Sequence, residues 1–179
     1  SPGRGGYPAA MRAAEAVYDC RQLAAGLFDA QPEQVVFTMN ATHALNIAIR
    51  SLVSAGDVVV VSGFEHNAVM RPLMEYHDAG KIKVTMLPPD PLGILRPETV
   101  AAAIGPRTAL CVLCHASNVT GVIQPAREIA AACHAQGVPL LLDAAQTAGT
   151  EALSAIGADM IAMPGHKGLL GPMGTGLLY

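Results

Sequence analysis

Short, continuous apolar runs alternate with helix-forming segments along this chain of 179 residues. The runs are β-branched or leucine-rich, which is typical of strands buried on both faces of a parallel sheet. We predict seven strands, at residues 35–38, 57–62, 83–87, 108–115, 140–143, 160–163 and 175–179. We predict helices at residues 8–30, 41–54, 67–77, 97–104 and 125–136. This order is typical of a three-layer α/β/α fold with a mainly parallel seven-stranded sheet.

Charge and hydropathy narrow the class of protein. The formal net charge of −3 favours neither nucleic acid nor an anionic membrane surface as a partner. No apolar stretch approaches the roughly 18 residues of a membrane span. Residues 1–6 do not resemble a signal peptide, because no apolar region follows them. We therefore expect a protein that binds neither nucleic acid nor membrane.

The chain has four cysteines, at positions 20, 111, 114 and 133. Cys111 and Cys114 have the spacing of a redox or zinc motif, but they lie inside a predicted apolar strand. Residues three apart on a strand face opposite sides, and no second pair or histidine cluster completes a zinc site. We expect four free, mostly buried thiols and no metal, as is usual in a reducing cytoplasm.

Polar side chains follow several of the predicted strands at the point where each strand ends. In parallel sheets of this kind, ligands bind beyond the carboxyl ends of the strands. The polar residues at these ends are Asn40, Thr42, His66, Asn118, Asp143, His166 and Lys167. The sequence therefore predicts a single site at this edge of the sheet.

Asp143 and Lys167 carry the strongest chemical signal. Asp143 ends an apolar strand, and a buried carboxylate is costly unless it is paired. The alternative is that it caps a following helix. Lys167 lies in the turn Gly165–Gly168, where we expect desolvating neighbours to activate its amine and glycines to let the backbone approach a bulky cofactor. A pyridoxal phosphate (PLP) enzyme needs such a pair, because the lysine forms a Schiff base with the cofactor and the carboxylate keeps the pyridine nitrogen protonated.

Three further strand ends each allow a functional and an ordinary structural interpretation. The turn around Asn40 and Thr42 opens a helix whose free amides can hold a phosphate, or it is a plain N-cap. His66 can stack on a cofactor ring and transfer protons, or it is a surface or capping histidine. Asn118 can bind the ring oxygen of the cofactor, or it is a turn residue before Gly121.

Five strings of sequence occur together in a specific order: NATHALN, EHNAV, SNVTGVIQP, DAAQTAG and GHKGLLGPMGTG, between positions 40 and 176. In this order and spacing they resemble the class V aminotransferase group of fold-type I PLP enzymes. The resemblance is to the branch of cysteine desulfurases and selenocysteine lyases in particular.

The resemblance implies a role for each matching residue. Lys167 would form the Schiff base and His66 would stack on the ring and take part in proton transfer. Asp143 would pair with the pyridine nitrogen, and Gln146 would contact the ring hydroxyl with Asn118 near it.

The phosphate ligands implied by the resemblance are Ala41, Thr42 and His166. Many desulfurases also have a serine phosphate ligand three residues before the lysine. Pro164 occupies that position here, so one phosphate donor is missing or replaced.

The resemblance implies a PLP-dependent, cysteine desulfurase-like enzyme that removes sulfur from L-cysteine and leaves alanine. The alternatives are another class V enzyme (an aminotransferase, a selenocysteine lyase or an epimerase) or a non-catalytic domain. Family members are longer and carry a small domain and a persulfide-forming cysteine, and no cysteine of this chain follows Lys167. We therefore expect residues 1–179 to be the PLP-binding large domain. The expected setting is a cytoplasmic homodimer, with a small amino acid as substrate and a sulfur-acceptor protein as partner.

Overall fold

The computed structural model describes residues 5–179. Its five α-helices are α1 (Pro8–Gly26), α2 (Ala41–Leu52), α3 (Asn67–Asp78), α4 (Pro97–Ala103) and α5 (Ala126–His134). The seven strands in this part of the chain are β1 (Val36–Thr38), β2 (Val58–Ser62), β3 (Lys83–Leu87), β4 (Thr108–Cys114), β5 (Leu140–Asp143), β6 (Met160–Pro164) and β7 (Gly176–Leu178). Every predicted helix and strand is present.

The chain divides into two compact units. One unit ends at Val36 and also includes Tyr179, and the other is Phe37–Leu178. In the first unit α1 begins with a proline in its first turn and has an alanine-rich body, both of which favour a helix. It ends at Gly26, earlier than the predicted residue 30, and a short 3-10 turn follows at Pro32–Gln34. The ring of Phe28 stacks on that of Tyr179 at 4.9 Å.

All seven strands form one sheet in the order β1-β7-β6-β5-β4-β2-β3. Parallel pairing joins β2 to β3 and β4, β4 to β5, and β5 to β6. Only the pairing of β7 with β6 is antiparallel among the registers described for residues 58–178. These pairings confirm the prediction of a mainly parallel seven-stranded sheet.

Helices cover both faces of the sheet. On one face α2 and α3 pack on alternate strand residues, among them Val59, Val112 and Leu141. On the other face the thiol of Cys111, the residue before Val112 in β4, makes a hydrogen bond with the thiol of Cys133 in α5. The two helix layers and the sheet between them form the predicted three-layer fold, and they leave the carboxyl ends of the strands free to carry a site. No helix of residues 5–179 has the length and apolar character needed to cross a membrane.

Candidate cofactor site

A cavity that is partly open to solvent lies at the carboxyl ends of β2, β4, β5 and β6. All eight predicted site residues line it: Ala41, Thr42, His66, Asn118, Asp143, Gln146, His166 and Lys167. The structure therefore brings together residues that are up to 126 positions apart, counting from 41 to 167.

The start of α2 offers backbone donors to this cavity. Asn40 is the N-cap, and its Oδ1 accepts a hydrogen bond from the His43 amide at 2.8 Å. The Ala44 amide bonds to the Asn40 carbonyl. Within residues 5–179, the amides of Ala41 and Thr42 have no acceptor. The N-cap interpretation is thus correct for Asn40, while two helix-start amides are left to bind an anion.

His166 adds a polar atom without a partner. Its Nδ1 is buried and makes no hydrogen bond to any described residue. Buried polar atoms are nearly always hydrogen-bonded, so an orphaned one requires an explanation. An anion held between this nitrogen and the free amides of α2 would satisfy both sets of donors.

His66 is both the N-cap of α3 and a cavity residue. Its Nδ1 accepts a hydrogen bond from the Ala68 amide at 3.1 Å, so the proton of the neutral ring lies on Nε2. The residue is exposed on the cavity side. The capping and the functional interpretations are therefore compatible, since they use different nitrogens of the ring.

Asp143 provides the buried carboxyl group of the site. It is only 3% exposed, and its Oδ1 accepts a hydrogen bond from the Ala145 amide at 2.9 Å. Burial raises the pKa of the Asp143 carboxyl, while the Ala145 amide and the positive charge of Lys167 oppose the rise. A turn follows Asp143 rather than a helix, so the helix N-cap alternative is wrong. Such a carboxylate favours a cationic partner in the cavity.

Backbone contacts hold the Lys167 turn rigidly. The Gly165 amide bonds to the Thr175 carbonyl at 2.8 Å, and the Leu170 amide bonds to the Lys167 carbonyl at 2.9 Å. A Cβ on Gly168 would lie 2.2 Å from the carbonyl oxygen of Ala148. Gly168 is therefore required because two segments of the protein backbone touch at this point.

Lys167 itself is exposed. Our expectation that its neighbours would desolvate it is wrong for this chain, because the turn projects beyond the end of β6 at the rim of the cavity. Asn118 and Gln146 also lie exposed on the rim. Gly121, at φ 73°, closes the turn after Asn118, as the structural interpretation of that segment predicts.

Cys114 also lines the cavity, although its sequence context did not predict this. Its Sγ donates a hydrogen bond to the Ala116 carbonyl at 3.2 Å. Burial raises the pKa of the thiol to about 12, and the nearby carboxyl groups of Glu65 and Asp143 add to the rise. Cys114 is therefore a neutral residue of the cavity wall. Its place as the last residue of β4 could have predicted this position, because the cavity lies at the carboxyl ends of the strands. The four cysteines are free, with Cys20 exposed and the other three buried, as predicted.

Comparison with known proteins places this chain in a protein family. The family model for class-V aminotransferases matches residues 1–179. A probable cysteine desulfurase of Methanothermobacter thermautotrophicus is 38% identical over 99% of this chain and 45% of its own length.

Two solved structures have the same fold. The apo cysteine desulfurase of Thermococcus onnurineus NA1 superposes with a TM-score of 0.90 at 28% identity, covering 99% of this chain and 45% of that one. DndA of Streptomyces lividans superposes with a TM-score of 0.86 at 33% identity, covering 98% and 51%. The chain thus spans about half the length of these relatives. It belongs to the class-V aminotransferase family.

Proposed function

We propose that residues 1–179 form the PLP-binding large domain of a longer, cysteine desulfurase-like enzyme. One observation carries the proposal: the buried carboxyl of Asp143 and the turn of Lys167 line the same cavity. A buried carboxylate is energetically costly unless it is paired, and a protonated pyridine ring would pair with it. An accessible amine in the same cavity could react with an aldehyde on that ring.

The residues of the cavity match the chemical groups of PLP. The free amides of Ala41 and Thr42 and the orphaned Nδ1 of His166 fit a phosphate. Asp143 fits a protonated pyridine nitrogen, and Lys167 fits an aldehyde. Bound PLP would supply an electrophilic carbon for the lysine amine and a protonated ring that accepts the electron pair released at the substrate Cα.

The residues of the chain would bind and orient the cofactor and would transfer protons. The Ala145 amide and the charge of Lys167 favour the ionised form of Asp143, whereas burial opposes it. His66 uses Nδ1 to hold its own loop, which leaves Nε2–H to donate to a group in the cavity. Lys167 is free at the rim, so its amine can exchange a proton with a substrate carbon once it is uncharged.

The desulfurase chemistry is supported by the relatives, which are cysteine desulfurases by name. The overall reaction balances as L-cysteine plus an acceptor thiol giving alanine plus a persulfide. Among the described residues Cys114 is the cysteine that lines the cavity, and its neutral thiol is a poor acceptor. The acceptor thiol is therefore proposed to lie elsewhere in the longer protein or on a sulfur-acceptor partner. The homodimer and the cytoplasmic location stay predictions.

The test is product analysis of the longer protein loaded with PLP, with Lys167→Ala as the control. Incubation with L-cysteine and dithiothreitol should release alanine and sulfide in equal amounts, and the control should release neither. A keto acid in place of alanine would indicate an aminotransferase, and reaction with selenocysteine alone would indicate a lyase. An inverted stereocentre would indicate an epimerase. A protein that binds no PLP would be a non-catalytic domain.

A further inference from the structure

Glu65 lies in the loop between β2 and α3, directly before His66, and does not line the cavity described above. Its Oε1 accepts two hydrogen bonds, from Ser62 Oγ at 2.5 Å and from the Cys114 amide at 2.7 Å. Cys114 in turn pairs with Asp143 in the register of β4 and β5. The carboxyl group therefore joins the loop that carries His66 to the strand end beside Asp143.

The second oxygen of Glu65 is buried without a partner. Oε2 makes no hydrogen bond to any residue of the described range 5–179. A carboxylate oxygen in this position would lose its hydration and receive no donor in exchange, whereas a neutral carboxylic acid loses far less. Burial, helped by the charge of Asp143, raises the pKa of Glu65 to about 7, although the bonds from Ser62 and Cys114 oppose the rise.

The charged and titratable groups around Glu65 indicate which carboxyl ionises. Asp143 faces it from β5, and Cys111 and Cys114 face it from β4. A hydrogen bond with Cys133 and burial raise the pKa of the Cys111 thiol. Burial raises the pKa of the Cys114 thiol. Both thiols therefore stay neutral near pH 7. Asp143 has an amide donor and the nearby positive charge of Lys167. His66, which adjoins Glu65 in the chain, is the neutral ring described above. The negative charge therefore belongs on Asp143 and the proton on Glu65.

We propose that Glu65 is a positioning residue, held as a neutral carboxylic acid, that fixes the loop of His66 to the end of β4 beside Asp143. It acts through His66 and does not touch the cofactor. The positioning role rests on the proposed PLP site, whereas the neutral state of Glu65 is a property of the chain without any cofactor.

The first arm of the test measures stability without cofactor. The pKa of Glu65 in the folded chain lies above its ordinary value of 4.5, so the folded state keeps a proton that the unfolded state loses. Its contribution to stability is full below about pH 4.5 and is lost as the pH rises to about 7. Glu65→Gln keeps an acceptor for both bonds and cannot ionise. The Tm difference between Glu65→Gln and wild type should grow by several degrees from pH 4.5 to 7 and level off above pH 8.

Glu15→Gln is the matched control, since it removes the same charge from an exposed position on α1. Its Tm difference from wild type should stay flat over the same range. A flat difference for Glu65→Gln as well would overturn the neutral state of Glu65.

The second arm measures ring orientation by the visible circular dichroism of bound PLP at pH 6. Glu65→Gln should match wild type in the ellipticity of bound PLP and in the apparent Kd for PLP. Glu65→Ala should lose ellipticity and bind about tenfold more weakly, because it leaves the Cys114 amide and Ser62 without their acceptor. Equal spectra for all three proteins would overturn the positioning role, and so would a Glu65→Gln spectrum as weak as that of Glu65→Ala. A wild-type chain that binds no PLP would overturn the proposed function and the positioning role together, and the first arm would still decide the protonation state.

Discussion

The Nδ1 atom of His66 accepts a hydrogen bond from the Ala68 amide at 3.1 Å. This bond caps α3 and also fixes the tautomer of the ring, with the proton on Nε2. One side chain therefore has a structural and a chemical task on opposite nitrogens. The two tasks can be separated by choosing a substitution that keeps only the cap.

His66→Asn should keep the stability of the chain and lose its chemistry. Asparagine is among the best N-caps, so we expect a Tm close to wild type, whereas His66→Ala should lose about 1 kcal/mol. Both variants of the longer protein should form alanine about 10²–10⁴-fold more slowly, because neither can transfer a proton. Thermal unfolding measures the effect on stability, and the rate of alanine formation measures the effect on proton transfer. An unimpaired rate for His66→Asn would show that the ring has no part in proton transfer.

Asp143→Asn should have opposite effects on stability and on cofactor binding. Burial raises the pKa of Asp143, so the folded chain without cofactor is destabilised as the pH rises and the carboxyl ionises. Asparagine can still accept the bond from the Ala145 amide. At pH 7 we expect a higher Tm without PLP, by about 2–4 °C for each kcal/mol gained, and an affinity for PLP that is about 10–100-fold weaker.

Asp19→Asn on the exposed side of α1 is the control for that substitution. It should change neither the Tm nor the affinity for PLP by a comparable amount. Unchanged PLP affinity in Asp143→Asn would remove the carboxylate from the cofactor site.

Alkylation should separate the cysteines by exposure. Cys20 is exposed, while Cys111, Cys114 and Cys133 are buried, and the pKa of Cys114 is raised to about 12. Iodoacetamide at pH 8 should therefore label Cys20 alone in the folded chain and all four cysteines in the unfolded chain, as mass spectrometry would show. Cys20→Ser should leave the folded chain unlabelled. If Cys114 were labelled as fast as Cys20, the result would contradict its description as a buried, neutral residue of the cavity wall.

The strands and the place of the site could be predicted from sequence because they depend on local pattern. Runs such as Leu140–Leu142 have an unambiguous apolar signal, and polar residues that follow parallel strands must meet at one edge of the sheet. Element ends were less accurate. The last turn predicted for α1 is lost after Gly26, and Asp29 has a left-handed backbone conformation at φ 52°.

Contacts between distant residues could not be predicted in this way. The bond from the Cys114 amide to Glu65 spans 49 positions, and no local pattern marks a carboxyl oxygen that will be buried without a partner. The need for Gly168 arises from a single carbonyl, that of Ala148, which comes close only when β5 and β6 pair. The exposure of Lys167 likewise depends on which segments fold over its turn.

The most direct test of the account is the visible absorbance of the purified chain mixed with PLP, beside the Lys167→Ala variant. We predict a new band in the wild-type spectrum, distinct from that of free PLP and absent from the variant, because the lysine amine links covalently to the cofactor beside Asp143. A band of equal strength in both proteins would contradict the role of Lys167. A wild-type spectrum identical to that of free PLP would contradict the assignment of this cavity as a cofactor site.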